Sequence, residues 1–182
     1  MGRDRKSGVV VPAHIRLNIS LLNSPAFIAL DACAKALLLD LRAKVNAHNN
    51  GNISAPLSEL RHRGWRSAVT LAKSIRQLEA VGILAKTRQT IGVERGSKVC
   101  NLFRFTDLDV YEHPKINVSA QGATHDYKKF ESLKAARQAV AIASATKPQS
   151  KKTSRQKMER DATESRAPRS TSATDSVVTL NL

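Results

Sequence analysis

Between residues 17 and 106 the apolar positions switch several times between helical and strand spacing, and the residues at each switch have identifiable structural uses. Ser24 followed by Pro25 predicts a capped helical turn, serine as cap and proline in the first helical position. Asp31 can cap a longer helix in which Ala34, Leu37, Leu38, Leu41 and Val45 form one apolar face. The run 46–52, containing Gly51, breaks that helix, and Ile53-Ser54 leaves room only for a short strand. Pro56 and Leu57 open a second helix that turns Leu57 and Leu60 inward and stops at Gly64. Ser67 caps a third, with Ala68, Leu71, Ala72, Ile75 and Leu78 on its inner side and Gly82 at its end. A strand over 83–91, a loop over 92–98 with two glycines, and a returning strand over 99–106 follow, with Phe103 and Phe105 on one face. Trp65, just before a helix cap, is expected to pack back on that helix's first turn.

Beyond Pro114 the apolar residues thin out. The pattern divides the chain into a flexible basic arm (1–16), a folded domain (17–112), a linker (113–125), an amphipathic segment (126–145) and a basic tail (146–182). In the amphipathic segment Phe130, Leu133, Arg137 and Val140 recur at near-heptad steps. Such a helix could pair two copies, dock on a partner, fold back on the domain, or stay unformed. The tail is too polar to offset the entropy of ordering and is expected to be disordered.

Charge changes the picture more than hydropathy does. Thirty Lys and Arg against fifteen Asp and Glu leave a net charge of +15, spread over both halves of the chain. That excess favours a polyanionic partner. Aromatic residues make up only 4% of the chain, too few to stack a series of unpaired bases, so double-stranded DNA is the better polyanion. No apolar run approaches 18 residues, so no membrane span is expected. Three valines halted by Pro12 are too short for a secretion signal, and Lys6 stands where N-myristoylation wants Ser or Thr. A cytoplasmic, nucleoid-associated protein is expected. Cys33 and Cys100 lack metal or disulfide spacing and are expected to be packed.

The outer side of the third helix is centred on Lys73, with Val69, Thr70, Arg76 and Gln77 around it and Arg66 and Ser67 at its start. Taken alone, such a face is most often a solvated helix surface. Its context is three helices, the last two joined by the short turn RGWRS, then a hairpin tipped by Arg95 and Lys98 with Arg88 on its first strand. The fold expected is therefore mainly α with a small β-hairpin, a winged helix-turn-helix. Its third helix would read the major groove, while Arg61, Arg63, Arg66, Arg95 and Lys98 meet phosphates.

Other chemistry finds no pattern. The 92–98 loop has three residues between its glycines and reverses the Lys-Ser order of a phosphate-binding loop. The five histidines are scattered, and no nucleophile–base–orienter set is visible. No enzyme activity, metal or cofactor is expected. Two alternatives to DNA binding are a protein-interaction module and an RNA-associated basic protein.

The stretches LLNSPAFIALDACAKALLLDL, NNGNISAPLSEL, GWRSAVTLAKSIRQLEAVGILAKTRQ and FRFTDLD resemble winged-helix proteins of phages, plasmids and integrated elements. Among these are the origin-binding N-terminal domains of replication proteins. The resemblance covers about half of the chain, residues 17–109. It implies sequence-specific DNA binding in replication initiation or transcriptional regulation. A homodimer, or a replication or transcription protein bound through residues 113–182, would complete the set of partners.

Overall fold

A computed structural model describes residues 14–88 and 100–146, and the backbone of 93–94 and 97–98. Most of the expected N-terminal arm, the tip of the expected hairpin and nearly all of the basic tail lie outside these residues.

Six helices and a small three-stranded antiparallel sheet are present among the described residues. Helix α1 (Ile19–Leu22) was not expected from the sequence and buries Leu21 completely. Helix α2 (Pro25–Ile28) starts where Ser24 Oγ accepts the Phe27 N–H at 3.2 Å. Helix α3 (Ala32–Arg42) starts where Asp31 Oδ1 accepts the Ala34 N–H at 2.8 Å. Each side chain satisfies an amide that the first helical turn leaves open. Ala34, Leu37, Leu38 and Leu41 are fully buried along one face of α3, as the periodicity predicts.

Strand β1 (Ile53–Ser54), helix α4 (Leu57–Leu60), helix α5 (Ala68–Ala80) and strand β2 (Leu84–Arg88) follow. The backbones of β3 (Val93–Glu94) and β4 (Ser97–Lys98) pair with each other, and β5 (Leu102–Phe105) returns. The sheet order is β1-β5-β2, with Ile53 opposite Phe103 and Leu84 opposite Phe105. The sequence predicts a hairpin and, separately, a short strand at Ile53-Ser54; the structure joins that strand to the hairpin by pairing β1 with β5.

As the central strand, β5 is buried throughout. Phe103 and Phe105 join Leu38, Leu41, Leu78 and Ile83 in the core. From the other side of β5, Arg104 donates to Thr124 Oγ1 at 3.2 Å.

The segment expected to be a linker is folded. Val110 pairs with Gln121, His113 pairs with Val118, and the His125 N–H donates to Thr106 O at 2.8 Å. Val118 and Tyr127 are buried, which supplies the apolar contact that the sparse pattern after Pro114 conceals. Helix α6 (Leu133–Ala145) then packs against α5 and α2 and belongs to the same compact unit as the preceding residues. Of the outcomes open to that segment, folding back is the one observed. Its buried positions are Ala136 and Val140, while Arg137 is exposed.

Two polar ties close the bottom of the core. The Arg42 guanidinium pairs with Asp107, both buried, and lies 4.4 Å above the centre of the Phe105 ring. Asn50 Oδ1 accepts the Phe105 N–H at 2.7 Å, and its Nδ2 donates to the Phe105 and Leu108 carbonyls. One side chain thus fastens the turn after α3 to the end of β5.

Gly82, which stops α5, has φ +72°, and a Cβ there would lie 2.8 Å from the Asp126 carbonyl carbon and oxygen. Backbone conformation and close approach both require glycine. Gly82→Ala is expected to destabilise the protein by about 2 kcal/mol or more, read as a lowered urea midpoint with unchanged m.

Candidate nucleic-acid interface

The residues expected to meet DNA divide into three groups. The first lies at the N-terminal end of α5. Ser67 Oγ accepts the Thr70 N–H at 3.3 Å and so starts the helix. Before it, Arg61, His62 and Arg63 form one turn of 3-10 helix that ends at Gly64 in the left-handed region, and all three are exposed. The turn is held from α3. Asp40 accepts from Trp65 Nε1 at 2.7 Å and pairs with Arg63 Nη1 at 3.3 Å.

Trp65 is therefore buried against the helices and serves as an anchor. Arg66 is exposed beside it and has no partner among the described residues. One turn into α5, Val69 is 66% exposed and Thr70 is half-buried. A depression of about 380 Å³ separates this end of α5 from α3, lined by Cys33, Ala36, Asp40, Trp65, Arg66 and Thr70. Cys33 and Cys100, expected to be packed, are both exposed; Cys33 sits on the side of α3 away from its buried leucines.

The second group is in the later turns of α5, where the reading from sequence needs correction. Gln77 is 1% exposed and cannot reach a DNA groove. Its Nε2 donates to Asp31 Oδ2 at 2.9 Å and to Ser144 Oγ at 2.8 Å, and its Oε1 lies 3.4 Å from the Asp31 amide. Arg76, also assigned to DNA, donates through Nε to the Ala143 carbonyl at 3.1 Å. Helix α6 covers this end of the face, which a helical wheel of α5 alone shows as outward. Lys73 is intermediate: its ammonium pairs with Asp31 at 3.1 Å, with 42% of the side chain exposed.

Asp31 is the shared acceptor of this network. Burial alone would raise its pKa, but the Ala34 amide, Lys73 and Gln77 together outweigh that and hold the carboxyl below the ordinary aspartate value.

The third group belongs to the expected hairpin. Arg88 ends β2 and is half-buried, with an Nε that is buried and unpaired. Lys98 lies on β4, of which only the backbone is described, and Arg95 lies outside the described residues. A larger cavity of about 600 Å³, lined by residues including Arg16, Arg42, Asn46 and Tyr111, takes no residue from α5.

Among the described residues, no group of three or more His, Cys, Asp or Glu could hold a metal ion. No described helix is long and apolar enough to cross a membrane. No family model, curated protein or solved structure matches the chain.

Gln77→Ala is expected to cost about 1–3 kcal/mol of stability, because it strands the buried groups that the amide joins. Thr70→Ala should stay within about 1 kcal/mol; paired urea titrations compare the two. The acid response follows from Asp31. Its carboxylate is favoured in the folded state, so its contribution is complete above the unfolded aspartate pKa and fades as pH falls through the lower folded value. Asp31→Asn, which keeps a capping side chain, should reduce the loss of stability between about pH 5 and pH 2. The difference should stay near or below about 1 kcal/mol, since the group is partly solvated.

Proposed function

We propose that this chain is a winged helix-turn-helix protein that binds a specific sequence of double-stranded DNA, with the N-terminal half of α5 leading into the major groove. Three features support the reading. The elements run in the order helix, short strand, helix, tight turn, helix, then two strands of one sheet, which suits that architecture. The net charge of +15 suits a polyanion. The observation that carries most weight is the open first half of α5, flanked by exposed Arg61 and Arg66, while the second half is occupied by α6.

On this reading α5 contributes Thr70 and Lys73, with Ser67 and Arg66 immediately before it, but not Gln77. Arg61 and Arg63 sit where the turn before α5 would meet phosphates, and the backbone pair of β3 and β4 belongs to the flanking wing. Asp40 keeps the turn in one conformation, so less entropy is lost when its arginines engage DNA. The resemblance to proteins of mobile elements extends the proposal to replication initiation or transcriptional regulation.

Bind-and-sequence on fragmented DNA at about 150 mM salt tests the reading, because non-specific phosphate contacts are weakened there. One enriched locus is expected: iterated sites at an origin would mean initiation, and a promoter site would mean regulation. Binding at low salt with no enriched sequence would overturn the proposal. With the enriched site as ligand, Arg61→Ala/Arg66→Ala should lower the slope of log affinity against log salt by about 2.

A further inference from the structure

We infer that Val69 is a specificity-determining residue that reads a thymine methyl group, so that the recognised sequence contains at least one thymine whose C5-methyl this side chain touches. The inference rests on the proposed DNA-binding role of α5. Val69, Thr70 and Lys73 lie within about 100° of one another around α5, and Arg66 stands just before the Ser67 cap at the same end of the helix. Three of the four are hydrogen-bonding or cationic. Val69 is apolar, 66% exposed, and held on a helix whose start is fixed by Ser67 and Trp65.

A single exposed valine on an arbitrary surface needs no explanation. Here it occupies the middle of the stretch of α5 that the fold leaves uncovered. Every later position proposed to face DNA is tied at least in part to protein: Lys73 to Asp31, Arg76 to Ala143, and Gln77 to Asp31 and Ser144.

In the major groove the chemistry that suits an aliphatic side chain is the C5-methyl of thymine, since the other base-edge features there are hydrogen-bond donors and acceptors. Valine's branched side chain is stiff at χ1 on a helix, so its methyls are presented in one orientation at little further entropic cost. Arg66 lies just before the helix cap and can donate to a neighbouring guanine or phosphate.

The test uses the full chain and the duplex enriched at about 150 mM salt. Each thymine is replaced in turn by deoxyuridine, which removes only the C5-methyl. One replacement is expected to weaken wild-type binding about fourfold, the equivalent of one buried methyl group. Val69→Ala should bind the unmodified site about fourfold more weakly and should no longer distinguish thymine from deoxyuridine at that position. Alanine at this exposed helical position keeps helix propensity, so folding is not at risk.

A flat deoxyuridine scan, or a Val69→Ala protein that keeps full sensitivity to the replacement, would overturn this inference and leave the DNA-binding reading standing. An enriched site without thymine would do the same. Failure to enrich any site would overturn both.

Discussion

Three helices meet at the amide of Gln77. A side-chain amide taken out of water costs free energy unless its donors and acceptor are met, and here the partners come from Asp31 at the start of α3 and Ser144 near the end of α6. This requirement determines how the rest of α5 is used. Once α6 supplies Ser144, Arg76 lies beside the Ala143 carbonyl and Asp31 is shared with Lys73. The side of the later turns that carries Arg76 and Gln77 is covered by α6, while the first turn remains open.

The exposed end is tied down from α3. Asp40 holds both Trp65 and Arg63, so the turn between α4 and α5 is fastened to α3 on either side of Gly64. Two residues further along α3, the Arg42 guanidinium lies over the ring of Phe105 and pairs with Asp107, and Asn50 ties the next turn to β5. Asp31 at the start of α3 and Asp40 and Arg42 in its last turn hold the helix by polar contacts at both ends, while its leucines supply the non-directional burial between them.

Residues 106–132 show how a weak local pattern can still encode tertiary structure. Few of them are apolar, and the spacing has no clear period. Their place depends on Tyr127 entering the main core, on two isolated bridges, and on the close approach of Asp126 to Gly82. The bridges lie within the segment, while Tyr127 and Asp126 meet residues far from it in sequence. The glycine that reads in the sequence as a helix stop is also the space against which the returning chain packs.

Local chemistry was legible from sequence because it depends on neighbours a few residues apart. Ser24, Asp31 and Ser67 could be recognised as caps, Gly64 and Gly82 as stops, Ile53-Ser54 as a strand, and the leucines of α3 as a core face. Only the tertiary structure decided which polar residues are inside. Gln77 and Arg42 occupy helix positions with nothing local to mark them as buried. Gln77 finds Asp31 46 positions away and Ser144 67 away, and Arg42 finds Asp107 65 positions away. A helical wheel assigns such residues to the outside because it sees one helix at a time. Their burial becomes favourable only when a distant element brings the complementary group, and in α5 that element is α6.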